Sequence, residues 1–230
     1  MSVLALTFVS RHFPAMGKQS KSKKDRKTSV WFQRHVNDPH VKRAQAEGKR
    51  SRAAFKLTEI LDKYNLLLKE NAVVVDLGCA PGSWTQEAAS RIGKAGLVVG
   101  IDLLPMQPVQ GASFIQSDFD SEEGLKALDE VLVGRKANLV LSDMAPEMSG
   151  NKLVDQMRMN HLNVMTLNFA ENHLRAGGHL LLKSFMGEGY DAFRREIGKC
   201  FASVKTVKPA ASRKSSSEIY LLGQSFRSGG

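Results

Sequence analysis

Val73-Val74-Val75-Asp76-Leu77-Gly78-Cys79-Ala80-Pro81-Gly82-Ser83-Trp84 is an apolar run that stops at an acid, turns through a glycine- and proline-rich loop and enters helical sequence. A short apolar run bounded by turn residues reads as a buried strand. The glycines let backbone pass close to a ligand, and a helix that follows such a loop opens with free N–H groups. The spacing does not fit the triphosphate loop Gly-x-x-x-x-Gly-Lys-Ser/Thr, and Gly78 and Gly82 do not fit the dinucleotide pattern Gly-x-Gly-x-x-Gly. A strand ending in acid-x-Gly-x-x-x-Gly suits the amino-acid part of S-adenosylmethionine. Taken by itself, the loop also reads as a tight strand-to-helix turn with no ligand.

Outward from this stretch, strand and helix patterns alternate. Strands are expected at residues 73–76, 97–101, 113–116, 138–141, 179–183, 203–207 and 217–222. Helices are expected at 84–92, 122–132, 154–175 (closed by Gly177-Gly178) and 190–200. Upstream, Ser51 can cap a helix whose Ala54, Phe55, Leu57, Ile60 and Leu61 recur at helical spacing, whereas residues 30–50 show no clear periodicity. The alternation predicts one doubly wound, Rossmann-like α/β domain over residues 30–223, with a mostly parallel seven-stranded sheet and helices on both faces. Residues 1–29 read as a basic, disordered arm and 224–230 as a flexible tail. Met16-Gly17-Lys18 offers a second start site, which would make residues 1–15 a mis-assigned extension; an organellar transit peptide is the weaker reading of the same segment.

In such sheets ligands bind beyond the carboxyl ends of the strands. Asp76, Asp102, Asp118, Asp143 and Lys183 all fall at or just past those ends, so five charged side chains share one edge. Asp102, about twenty residues after the loop, can accept both hydroxyls of a nucleoside ribose, and Asp118 can accept from an adenine amino group. Each alone reads equally as a capping or turn aspartate.

Charge points to the partner. The formal net charge is +10, and residues 1–60 hold 14 Lys/Arg against 4 Asp/Glu, so the whole excess lies at the N-terminal end. A basic end on a neutral body fits a polyanion, nucleic acid first, with Lys42, Arg43, Lys49, Arg50 and Arg52 as contacts; a solubilising tail is the plainer alternative. A second basic group, Arg194, Arg195, Lys199, Lys205, Lys208, Arg213 and Lys214, is expected near Glu218. Two cysteines are too few for a disulfide framework, which fits a reducing, cytoplasmic compartment, and no apolar run approaches membrane-spanning length. The histidines His12, His35, His40, His161, His173 and His179 show no metal spacing. We therefore expect no metal and no membrane association, and a monomer.

In their order along residues 30–223, five pieces resemble the FtsJ (RrmJ) group of ribose 2′-O-methyltransferases. They are Ser51-Arg52-Ala53-Ala54-Phe55-Lys56-Leu57, the stretch 76–84, Ser142-Asp143-Met144-Ala145-Pro146, Lys183, and Ser217-Glu218-Ile219-Tyr220. The resemblance implies a catalytic tetrad on Lys56, Asp143, Lys183 and Glu218, with Lys183 as general base. It implies S-adenosyl-L-methionine as cofactor, held by Gly82, Trp84, Asp102, Asp118 and Asp143. It also implies a uridine ribose in the aminoacyl-tRNA-binding loop of 23S ribosomal RNA as substrate, within the 50S subunit. Ser83 stands where many relatives carry glycine, and Ser184 where valine is frequent.

The chemistry is consistent with those residue types. A ribose hydroxyl is a poor nucleophile, so it must be aligned with the methyl carbon and relieved of its proton. A lysine amine can take that proton if desolvation or a neighbouring cation, here Lys56, favours its neutral form. Amino methylation would be expected to show Asn/Asp-Pro-Pro-Tyr/Phe where Asp143-Met144-Ala145-Pro146 stands, and neither Cys79 nor Cys200 is placed for carbon methylation. Methylation of tRNA, or a non-catalytic ribosome-assembly role, stays open at this level.

Overall fold

The computed structural model describes residues 37–66, 68–213 and 216–228. Every helix and strand named below lies within Pro39–Gly230. The basic arm at 1–29, the alternative start at Met16, His12, His35 and Lys214 lie outside the described residues.

Thirteen elements are described: α1 (Pro39–Ala46), α2 (Ala53–Lys63), β1 (Val73–Leu77), α3 (Ser83–Arg91), β2 (Leu97–Asp102), β3 (Ala112–Gln116), α4 (Glu122–Leu132), β4 (Ala137–Ser142), α5 (Lys152–His173), β5 (Leu174–Phe185), α6 (Tyr190–Cys200), β6 (Phe201–Val207) and β7 (Glu218–Phe226). The seven strands form one sheet in the order β3-β2-β1-β4-β5-β7-β6. Neighbours from β3 to β5 pair in parallel, while β7 runs antiparallel to both β5 and β6. The strand order reverses between β1 and β4, and that reversal leaves a crevice at their carboxyl ends.

The pleat decides which helices each side chain meets. Val73, Val75 and Leu77 of β1, Val140, Leu180, Leu182 and Leu221 join one core cluster with Leu128 of α4, Phe169 of α5 and Ile197 of α6. Val74, Leu139, Leu141, Leu181, Tyr220 and Leu222 join the other, with Leu57 and Ile60 of α2 and Trp84 and Ala88 of α3. By the same alternation Asp76 follows Val74, Lys183 follows Leu181, and Glu218 precedes Tyr220, so all three face α2 and α3. This parity sets the site on one face.

Most boundaries lie within two residues of the sequence expectation, and three regions depart further. Residues 39–46, without visible periodicity, form α1, which buries only Val41 and Ala44. Two buried positions are too few to mark a helical period. α5 ends at His173 and β5 begins at once with Leu174, so Gly177-Gly178 lies inside an irregular strand whose register against β4 shifts between Ala137 and Leu139. β7 continues to Phe226, paired with Phe201, so residues 224–226 belong to the sheet rather than to a tail. Ser51 lies one residue before the N-cap position, Arg52, yet its Oγ accepts from the Ala53 amide at 3.1 Å. Among the described residues no helix is long and apolar enough to cross a membrane.

Leu181 is fully buried on a central strand. Leu181→Ala should destabilise the fold by about 2–5 kcal/mol, through lost apolar transfer and an unfilled cavity. Urea unfolding would report this as a lower midpoint at unchanged slope.

Candidate active site

At the carboxyl edge, α2, β4, β5 and β7 bring four charged side chains and one phenol into a closed ring. Lys56 Nζ of α2 donates to Glu218 Oε1 at 2.7 Å and to Tyr220 Oη at 3.0 Å. Tyr220 Oη donates to Asp143 Oδ1 at 2.7 Å. Lys183 Nζ lies 2.8 Å from the same carboxylate oxygen and 3.8 Å from Glu218 Oε2, and it donates to the Asp143 carbonyl at 2.6 Å. Lys183 and Tyr220 are register partners across β5 and β7, which is why a residue two before Tyr220 also reaches the ring. The four charged side chains are only 10–20% exposed. The four residues of the expected tetrad are therefore linked in one network, with Tyr220 connecting Lys56 to Asp143.

Burial and charge tune this ring in opposite directions at two members. Burial opposes ionisation of Glu218, but the Lys56 charge and its hydrogen bond, the Lys183 charge and the Ser212 hydroxyl hold its carboxyl below the usual range. Burial, followed by the charges of Asp143 and Glu218, pushes the Tyr220 phenol far up, so it remains a donor. In the sequence Tyr220 stands only as part of a motif; no spacing rule marks a tyrosine as the bridge between a lysine on a helix and an aspartate after another strand.

A cavity of about 1120 Å³ opens at the β1/β4 crevice, with Gly78, Asp102, Asp118, Phe119 and Asp143 in its wall. A second, about 40 Å³, lies under the loop and is bordered by Asp76, Trp84 and Asp143. Of the expected cofactor contacts, Asp102, Asp118 and Asp143 line the large cavity, Trp84 borders the small one, and Gly82 lines neither. Trp84 is buried, and its indole N–H donates to the Ala53 carbonyl at 2.9 Å. Gly82 adopts φ +94°, and a Cβ there would sit 2.8 Å from Met106 Sδ. At Gly78, φ +69°, a Cβ would lie 2.1 Å from Met144 Cγ, so the loop and the segment after β4 close on each other only with glycine there. Asp102 Oδ2 accepts from the Ala80 amide and Oδ1 from the Leu104 amide, both at 2.8 Å, leaving each oxygen a further lone pair. Asp118 Oδ1 accepts from the Asp120 amide at 3.1 Å, so it caps its loop as well as lining the cavity.

Asp76 carries the one unsatisfied polar atom among the buried described side chains. Its Oδ2 accepts from Thr85 Oγ1 at 2.6 Å, while Oδ1 has no partner. A buried acceptor bordering a small cavity fits an ammonium group, such as that of an amino-acid moiety.

The expected basic contacts fare unevenly. Lys49 pairs with Glu87 at 2.6 Å, and Arg43 with Glu47 at 2.7 Å. Arg50 binds three carbonyls, and Arg52 donates to the Ala211 carbonyl. Those residues are ties within the protein; Lys42 is exposed. Arg194, Arg195 and Lys199 border a shallow hollow beside Phe201, which pairs with the Phe226 end of β7 and so lies away from Glu218. Arg52 feels the charges of both Arg213 and Glu218, which act on it in opposite directions. Both departures from the family pattern acquire partners: Ser83 Oγ lies 2.7 Å from Ser51 Oγ, and Ser184 Oγ accepts from Asn163 Nδ2 at 2.9 Å.

A seven-stranded sheet in this order, with one antiparallel strand and a ligand crevice at its switch point, is the α/β methyltransferase fold. Residues 49–226 match the FtsJ-like methyltransferase family, and the chain belongs to that family. It is 48% identical over 205 residues, 89% of this chain and all of the relative, to the ribosomal RNA large subunit methyltransferase E of Azoarcus sp. (strain BH72). A protein of the same name from Stenotrophomonas maltophilia (strain K279a) is 49% identical over 197 residues, 86% of this chain and 93% of the relative. The crystal structure described as a ribosomal RNA methyltransferase from Plasmodium falciparum aligns with a TM-score of 0.69 and 34% identity, covering 77% of this chain and 98% of that one. As a family member the chain is a methyltransferase that uses a methyl donor.

Burial, with the charges of Asp143 and Asp102 adding to it, pushes the Asp76 carboxyl from the ordinary 3.8 up to about 7. The folded state then binds a proton that the unfolded chain releases above pH 4, so this contribution to stability is present at low pH and fades as pH rises to about 7. Asp76→Asn removes the titration. In the ligand-free protein the variant should gain stability relative to the parent between pH 4 and pH 7 and run parallel above it, as thermal unfolding across pH would show.

Proposed function

We propose that this chain transfers a methyl group from S-adenosyl-L-methionine to the 2′-oxygen of a uridine ribose in 23S ribosomal RNA, acting on the large subunit in the cytoplasm. The observation that carries this reading is the closed ring of Lys56, Glu218, Lys183, Asp143 and Tyr220 at the rim of the crevice. The names of the similar proteins support ribosomal RNA as the substrate class. The aminoacyl-tRNA-binding loop is the target implied by the family.

S-adenosylmethionine supplies a methyl on a sulfonium, a centre already activated for transfer. Asp102 and Asp118 would accept from the nucleoside part, Asp76 Oδ1 would accept the ammonium, and the Gly78–Gly82 loop, with Trp84 behind it, would shape the floor. Asp143 lies where both cavities meet the ring, so its carboxylate steers the acceptor hydroxyl toward the methyl. Lys183, in its amine form, takes the hydroxyl proton. In the arrangement described it contacts the carbonyl and the carboxylate of Asp143, two bonds that a neutral amine, with two N–H groups and a lone pair for the incoming proton, can also make. Glu218 fixes the spacing of the two lysines by binding Lys56 closely and Lys183 at longer range. Tyr220 donates to the same Asp143 oxygen that Lys183 approaches and so holds that carboxylate in place. A purely structural ring would be a poor use of buried charge, since apolar packing of equal volume stabilises at least as well.

Lys183→Ala should lower methyl transfer to large-subunit RNA by roughly 10²- to 10⁴-fold while S-adenosylmethionine still binds, the loss expected of a general base. A radiolabelled transfer assay run beside calorimetric donor binding checks this; retained transfer would remove Lys183 from the mechanism. Mapping 2′-O-methyl positions on ribosomal RNA with and without the gene, and repeating the assay with tRNA, tests the substrate. Affinity for RNA should fall linearly in log–log form as salt rises. A flat response would argue against a phosphate-binding interface.

A further inference from the structure

Arg50 is expected from the sequence among the nucleic-acid contacts, yet its guanidinium faces the protein. Nη1 donates to the Pro81 carbonyl at 2.9 Å and to the Gln107 carbonyl at 2.7 Å, and Nη2 donates to the Pro108 carbonyl. Pro81 belongs to the loop after β1; Gln107 and Pro108 belong to the segment after β2 that begins with Leu103 and Leu104, which follow Asp102 in the cavity wall. These two segments flank the crevice in which the donor would lie. They are joined at one point by Asp102 accepting from the Ala80 amide, and at a second by Arg50. Gly82 is pressed into the same junction: a Cβ there would lie 3.1 Å from Arg50 Nη1.

The backbone of Arg50 is itself pinned. Its amide donates to Gln86 Oε1 of α3 at 3.1 Å, and Gln86 Nε2 returns a bond to the Gly48 carbonyl at 3.1 Å. Neighbouring residues continue the strap: Lys49 to Glu87, Ser51 to Ser83, and the Ala53 carbonyl to the Trp84 indole. The segment then enters α2 and delivers Lys56 to the ring. One short stretch of chain thus fastens the donor loops and places the acceptor-side lysine.

We propose that Arg50 is a positioning residue for the methyl donor: its fork fixes the separation of the 80–82 and 103–109 segments, and its charge is engaged by carbonyls of the protein rather than by RNA phosphates. The inference rests on the reading that S-adenosylmethionine binds between those segments. Only a planar guanidinium presents donors at the spacing that spans three carbonyls, and an ammonium presents them from one point. Lysine in its place would keep the charge and lose the clamp.

The test compares Arg50→Gln and Arg50→Lys with the parent, measuring donor binding, the KM for each substrate, and RNA affinity against salt. With the clamp lost, donor Kd and donor KM should rise by roughly 10- to 100-fold in both variants, the loss expected for charge-assisted hydrogen bonds that hold a binding loop. The kcat at saturating donor, the KM for RNA and the salt slope should stay near the parent values. Amide hydrogen exchange should quicken at 80–82 and 103–109 and not in the strands. Recovery of donor affinity by Arg50→Lys would overturn the clamp in favour of a simple charge effect, and an altered salt slope with unchanged donor affinity would overturn it in favour of a phosphate contact. If Arg50→Gln does not fold, Arg50→Lys carries the same comparison. Failure of the parent itself to bind S-adenosylmethionine would overturn the functional reading together with this inference. Parent-like donor binding by both variants would overturn this inference alone.

Discussion

Two lysines and two carboxylates, each shielded from most of the solvent, share one small volume at the edge of this sheet, and they can do so only by neutralising one another. Lys56 and Lys183 meet at Glu218, while a single carboxylate oxygen of Asp143 takes both Lys183 and the Tyr220 hydroxyl. Removing any one charge would leave another without compensation in a low-dielectric setting, a costly condition. The ring therefore acts as a unit. Its members come from α2, the end of β4, β5 and β7, so the sheet order and the seat of α2 must both be correct before it can close.

That requirement explains the antiparallel strand. Inserting β7 between β5 and β6 in the reverse direction brings its first residue, Glu218, to the carboxyl edge where the parallel strands end. Alternation along β7 then puts Tyr220 on the same face, opposite Lys183. The phenol, kept protonated by burial and the two nearby carboxylates, links the helix lysine to the aspartate after β4. Without it the route from Lys56 to Asp143 around the ring would run through Glu218 and Lys183.

The donor side is organised by a different device. Its loops are held by backbone bonds to Asp102 and Arg50 and by glycines at positive φ, which leave little freedom in the crevice wall. The strap from Lys49 to Lys56 connects this wall to the ring, so the geometry of donor and acceptor is carried by one continuous piece of backbone. Several residues that composition alone assigns to RNA are used here as internal fasteners.

Local patterns in the sequence determined a good deal. The helices over 122–132 and 190–200 were legible in the sequence, because their apolar period is complete within a few turns. The acids at strand ends and the ordered motifs were legible too, since a strand's end and the loop after it are written in consecutive residues. Only the tertiary structure decided what each charged group touches. Arg50 and Lys42 look alike as residues in a basic segment, yet one bridges three carbonyls and the other is exposed. The difference arises from partners more than thirty positions away, which no spacing encodes. The role of Tyr220, the unpaired oxygen of Asp76 and the extension of β7 to Phe226 have the same origin. They follow from pairings across strands, and such pairings exist only once the sheet is closed.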